Sequence, residues 1–261
     1  MLVILNEWLS SLNIFSSHNF SSFLLITFRN FYNGLIKFLR FFGWLFIVDI
    51  FLSIVFGDLL LKVSAVVLDS VKSANIPALL MQLVFSIIWF MVTTSFLLSI
   101  ISHHERVNYR YYMVGFFRYV QLALIFSFIF LLLLNIIVSL GVTTFPGVPL
   151  AVGTLFRILE LLIIFYWLDS KYSLREVFYS LEKALNLFLY NLPIILIFFG
   201  IWLGANWGMS FFIAKEGASL YLNILFKYVM FFFDYLVISL LFTFYSLKKN
   251  KSYAESVFSP K

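Results

Sequence analysis

Apolar and polar positions sort along this chain into long hydrophobic runs parted by short charged segments. The longest run, Tyr119 to Phe156, holds 38 residues without an Asp, Glu, Lys, Arg or His. About 20 residues rising ~1.5 Å each cross a ~30 Å hydrocarbon core, so this run is long enough to cross twice. Thr143-Thr144-Phe145-Pro146-Gly147-Val148-Pro149 near its middle is a dense turn signal. The run therefore reads as a transmembrane helical hairpin turning at Pro146-Gly147, with its fourth-span arm ending at Leu168. The remaining runs give a first span over Phe41–Phe56 and a second over Ala78–Ser102. A fifth runs from Pro193 to about Ala214, and a sixth from about Leu220 to Leu247.

Between the runs the periodicity is that of surface helices. Arg29, Asn30, Asn33, Lys37 and Arg40 share one helical face, opposite Leu24, Phe28, Phe31, Leu35 and Phe38. That pattern predicts an amphipathic helix from Phe23 to Arg40 lying in the interface, its basic face toward headgroups. Residues 57–76 carry Asp58, Lys62, Asp69 and Lys72 and read as an exposed connection or a further surface helix. A third surface segment opens at Ser173-Leu174-Arg175-Glu176, which has the form of a capping box. Its stripe of Leu174, Val177, Phe178, Leu181, Leu185 and Phe188 is expected to meet lipid. A unit of surface segment, span, turn and span thus begins near Phe23, near Arg106 and near Ser173. Parallel repeats of this kind occur in membrane folds.

The expected fold is all-α: a polytopic membrane helical bundle of about six transmembrane helices with interfacial amphipathic helices. Residues 1–22 form a peripheral N-terminal segment, 23–247 a single transmembrane domain of three repeated units, and 248–261 a polar tail. The first 20 residues lack a basic start, a long apolar core and a cleavage site, so no cleavage is expected.

Composition strengthens this reading. The chain is 63% hydrophobic and 11% charged, against about 25% charged in ordinary soluble domains. The net charge of +6 is spread between apolar runs, which favours anionic membrane surfaces over nucleic acid. Thirteen basic residues, among them Arg29, Arg106, Arg110, Arg118, Lys183 and Lys249, fall on one side of the expected topology. Only Lys62, Lys72 and Lys215 fall on the other. The positive-inside rule then sets both termini in the cytoplasm. The absence of cysteine excludes disulfides and thiolate chemistry.

Candidate chemistry is sparse. His103-His104 is a poor metal site, because adjacent side chains diverge on a helix and one other His exists. No nucleophile–base pair, phosphate loop or metal cluster stands at usable spacing, so neither enzyme activity nor a cofactor is expected. What remains are charges inside spans: Asp49, Arg157, Glu160, Lys227 and Asp234. Asp49 lies eight residues before Gly57, Arg157 eight after Pro149 and Lys227 eight after Ser219. Each is then ~12 Å from the outer end of its span. An isolated charge at mid-bilayer costs ~2.5–3.5 kcal/mol or more. Asp49, Arg157, Glu160 and Lys227 are therefore expected to converge in the interior, with Asp234 nearer the cytoplasm. The alternative is a private Arg157–Glu160 pair and a Lys227 that snorkels outward.

One resemblance rests on particular residues. Pro146-Gly147, an apolar span, Asp169-Ser170-Lys171-Tyr172-Ser173-Leu174-Arg175-Glu176, Ser180 and Asn191-Leu192-Pro193 follow one another. This order resembles the YciC-type bacterial membrane proteins and the membrane domain of some glycerophosphodiester phosphodiesterases. The resemblance implies a six-helix inner-membrane fold; Arg157 and Glu160 depart from its apolar fourth span. No phosphodiesterase domain is expected from these residues, so the resemblance does not imply that activity. The functions left open are a non-enzymatic scaffold, envelope-homeostasis factor or accessory component, and a transporter of a small solute or lipid. Expected partners are membrane lipids with anionic headgroups, and another membrane protein or a second copy of the chain.

Overall fold

A computed structural model describes residues 17–69, 76–102, 108–139, 147–168, 174–216 and 220–249. Seven helices occupy them: α1 Ser17–Asp69, α2 Ile76–Ile101, α3 Tyr109–Ser139, α4 Gly147–Leu168, α5 Leu174–Tyr190, α6 Leu192–Glu216 and α7 Leu220–Lys249. The protein is all-helical among these residues. Four helices are long and apolar enough to cross a membrane, through Phe20–Val55, Leu83–Ile101, Ala151–Leu168 and Tyr221–Lys249. The count becomes five if the bent pair α5 and α6 is taken as one span.

The bounds of α2, α6 and α7 fall within a few residues of those the hydropathy predicts. Helix α1 does not. The expected break between a surface helix ending at Arg40 and a span starting at Phe41 is absent, and 53 residues run as one helix. The helix also runs on through Gly57 to Asp69, where an exposed connection or a further surface helix was expected. No proline lies between Ser17 and Asp69, so a change in polarity alone meets no stop signal. The polar face of its first half is also divided. Asn30 donates to Thr243 Oγ1 of α7 at 2.9 Å, and Lys37 donates to both the carbonyl and Oγ of Ser102 at 3.1 and 2.9 Å. Arg29, Asn33 and Arg40 stay exposed, beside exposed Leu25, Phe28 and Tyr32. The basic stripe is thus shared between bundle and surroundings.

Gly34 sets the distance between α1 and α2. A Cβ there would stand 2.6 Å from Ile100 Cγ1 and 3.0 Å from Ile100 Cα, so the backbones meet where a side chain is missing. Around this contact the core is aromatic. Phe96 of α2 lies with its ring centre 5.0 Å from that of Phe38, 5.5 Å from Phe231 and 4.4 Å from Tyr235. Offset and tilted ring pairs at such distances contribute beyond their area. Buried hydroxyls close on their own helices: Thr27, Ser99, Ser239 and Thr243 each bond the carbonyl four residues back.

Helices α5 and α6 meet at 89°. Pro193 lacks an N–H and its ring crowds the carbonyl four residues back, which opposes a straight continuation of α5 into α6. Asn191 serves both sides of the corner. Its Nδ2 donates to the Leu187 carbonyl at 2.9 Å, and its own carbonyl accepts from Ile194 and Ile195, both at 3.1 Å. On α5 the buried residues are Ser180, Ala184 and Leu187, with Val177, Leu181 and Phe188 half-buried against the core. Leu181 and Phe188 therefore turn to the bundle rather than to lipid, while Phe178, Leu185 and Leu189 are exposed. Ser173, His103-His104 with Arg106, the Thr143–Pro146 turn and the Lys251–Lys261 tail lie outside the described residues.

Candidate functional site

Every charge singled out within the spans has a partner. Asp49 and Ser53 share a face of α1 at i, i+4 spacing. Across from them α7 presents Lys227 and Tyr228. Lys227 Nζ lies 2.8 Å from Asp49 Oδ2 and donates to Ser53 Oγ at 3.2 Å. The Tyr228 hydroxyl donates to the same Asp49 oxygen at 2.7 Å. The ammonium also stands 4.1 Å from the centre of the Trp89 ring, a cation–π distance. The Asp49 side chain is 0% exposed and that of Lys227 31%. Asp49 Oδ1 has no hydrogen-bond partner.

A second group is built on α4. Arg157 and Glu160, one turn apart, form an ion pair of 2.6 Å, with side chains 33% and 12% exposed. Arg157 also donates to the Tyr119 hydroxyl of α3 at 3.0 Å. Asp234 of α7 accepts from Trp202 Nε1 of α6 at 2.8 Å and lies within electrostatic reach of Arg157.

Comparison with protein-family models, curated proteins and solved structures gives no match for this chain.

The five charges thus come together as two groups rather than one. Asp49 pairs with Lys227, and Arg157 with Glu160 beside Asp234. No hydrogen bond or ion pair joins the groups among the described residues. Their α7 members, Lys227 and Asp234, are seven residues apart, a rise of ~10 Å. The physical reason for two groups is that each ion pair, Asp49–Lys227 and Arg157–Glu160, is neutral in itself, and nothing drives the pairs to merge. Lys227 does not snorkel free of its acid.

Sequence reasoning missed the neutral members: Ser53, Trp89, Tyr119, Trp202 and Tyr228. Ser53 carried a signal, being one turn from Asp49, and Tyr228 adjoins Lys227. Trp202, 32 residues from Asp234, carried none. Among the described residues no group of three or more His, Cys, Asp or Glu could hold a metal ion. The chemistry on offer is charge neutralisation between helices. The lysine amine is held as an ion-pair partner, and the arginine as a clamp on Glu160 and Tyr119.

Proposed function

We propose that this chain is a non-enzymatic, multi-pass integral protein of a bacterial inner membrane, serving as a scaffold, envelope-homeostasis factor or accessory component. The observation that carries this reading is how the intramembrane charges are spent. Lys227 binds Asp49 from a helix 178 residues away in sequence, and Asn30 bonds Thr243 across 213. These contacts tie the first helix to the last around interlocked aromatic rings. Polar groups used in this way fix an assembly.

Six spans with both termini cytoplasmic follow if α3 and α6 cross in addition to the four helices named above. The right-angle corner at Asn191 supports α5 as an interfacial helix, and the excess of basic residues on one side supports the orientation. Anionic headgroups are the expected lipid partners, and another membrane protein or a second copy of the chain the expected protein partner. The resemblance to YciC-type proteins agrees with this layout. Reporter fusions after Lys72, Pro146 and Glu216 should read as external, and after Arg110, Ser173 and Lys251 as cytoplasmic. An external reading after Ser173 would overturn the topology.

A second reading, movement of a small solute or lipid, draws on Asp49 Oδ1, a buried oxygen without a partner. Native purification with mass spectrometry separates the two. Stable partner subunits support the scaffold, and a co-purifying solute lost in Asp49→Asn supports transport.

A further inference from the structure

The group on α4, α6 and α7 is short of one positive charge. Arg157 brings a single guanidinium, whereas Glu160 and Asp234 bring two carboxyl groups. Glu160 holds that guanidinium in contact at 2.6 Å. Asp234 has no Lys or Arg at ion-pair distance among the described residues, and its Oδ1 accepts from the neutral indole of Trp202. The Asp49–Lys227 pair, by contrast, balances.

The other elements around Asp234 supply no further cation. From α4, Arg157 acts on it at a distance, and Glu160 offsets that arginine. From α3, the Tyr119 hydroxyl accepts from Arg157. On α7 itself, the neighbouring Tyr235 is buried, and its hydroxyl donates to the Thr93 carbonyl of α2. Lys227, two turns back along α7, is bound to Asp49. Arg157 and Lys227 are therefore each held by another acid.

Depth makes the imbalance matter. Asp234 stands fourteen residues after Leu220 and fifteen before Lys249, more than ~20 Å along α7 from either end. That midpoint is the same whichever way the chain crosses. A carboxylate there without a cation is costly, and two carboxyl groups beside one cation do not both stay ionised. A proton or a metal ion would restore the balance. A metal ion needs several oxygen donors, whereas Trp202 turns an N–H to this carboxyl group. A proton needs one oxygen.

We propose that this group binds one proton, carried on Asp234 Oδ2, so that Asp234 is a carboxylic acid in the folded protein. The Trp202 N–H then bonds the carbonyl oxygen of the acid, and the Arg157–Glu160 pair stays ionised beside it.

The test is infrared spectroscopy of the full-length chain in lipid at neutral pH, in light and heavy water. A protonated carboxyl group shows a C=O stretch apart from those of carboxylates and amides, and it shifts on deuteration. Wild type should show this absorption, and Asp234→Asn should lose it. Trp202→Phe, which removes the donor to Oδ1, should keep the absorption and move it to higher frequency. An absorption that survives in full in Asp234→Asn, or that stays in place in Trp202→Phe, would overturn the proposal, since the proton would then lie elsewhere. Loss of the absorption when sodium replaces potassium would also overturn it, because a metal ion would then hold the position. Should Asp234→Asn fail to fold, wild type decides by its reaction with dicyclohexylcarbodiimide, which attacks protonated carboxyl groups in apolar surroundings. An adduct on Asp234 in the mass spectrum supports the proposal; adducts confined to other acids, or none, refute it.

Discussion

Replacing Lys227 by Met would leave the Asp49 carboxylate fully buried with the Tyr228 hydroxyl as its remaining donor. Removing one partner of a buried ion pair costs ~3–5 kcal/mol. Lys227 is 31% exposed, so the low end, ~3 kcal/mol, is expected. Replacing Asp49 by Asn in the same chain removes the stranded charge and keeps an acceptor for Tyr228. The double variant should then lose little more than a hydrogen bond, ~1 kcal/mol, besides the cation over Trp89. Both variants lose that cation, so the difference between them isolates the charge on Asp49. At ~2–4 °C per kcal/mol for a chain of this size, Lys227→Met should melt ~4–8 °C below the double variant. The assay is thermal unfolding in detergent followed by tryptophan emission, with Trp89 as a local reporter 4.1 Å from the ammonium. If Lys227→Met melts no lower than Asp49→Asn/Lys227→Met, Asp49 does not depend on Lys227 and the argument fails.

Two further outcomes follow from the same geometry. Arg157→Met should melt below Arg157→Met/Glu160→Gln, because the single change strands a carboxylate whose side chain is 12% exposed; equal melting would mean that Glu160 is adequately solvated without Arg157. Gly34→Ala drives a methyl to within 2.6 Å of Ile100 and should cost ~1–3 kcal/mol by overpacking. Gly200→Ala, with nothing within 4 Å of its Cβ, should be neutral or stabilising by up to ~1 kcal/mol. Matching melting temperatures for these two variants would show that α1 and α2 are not closely held at Gly34.

Helix ends that coincide with Pro, Gly or charge were legible in the chain. Pro193 marks the α5–α6 corner, Gly147 opens α4, and Lys248-Lys249 close α7. Helix α1 was misjudged because its sequence changes in polarity at Arg40 without any residue that stops a helix. The five intramembrane charges were legible through their cost in hydrocarbon, and so was the need for partners. Their division into two groups was not, since hydropathy locates a residue in depth and leaves its direction around the helix axis open. The same gap misdirected Leu181 and Phe188, apolar residues on a helix whose two sides both carry apolar side chains. Trp202 and Tyr228 escaped because an aromatic residue reads as core or interface until an acid is seen opposite it.

The clasp between α1 and α7 has a consequence in time. Asp49 leaves the ribosome 178 residues before Lys227. At ~5–20 residues per second, its carboxylate waits roughly 9–36 s for the ammonium that neutralises it. During that interval α1 holds an acid without its lysine, and the hydroxyl of Tyr228 is missing as well. The earlier helices can meet one another, but the native surroundings of Asp49 cannot form until the last helix arrives. A chain cut short before α7 would remain permanently in that waiting state, with the Asp49 carboxylate still lacking its lysine as a mark by which incomplete chains differ from finished ones.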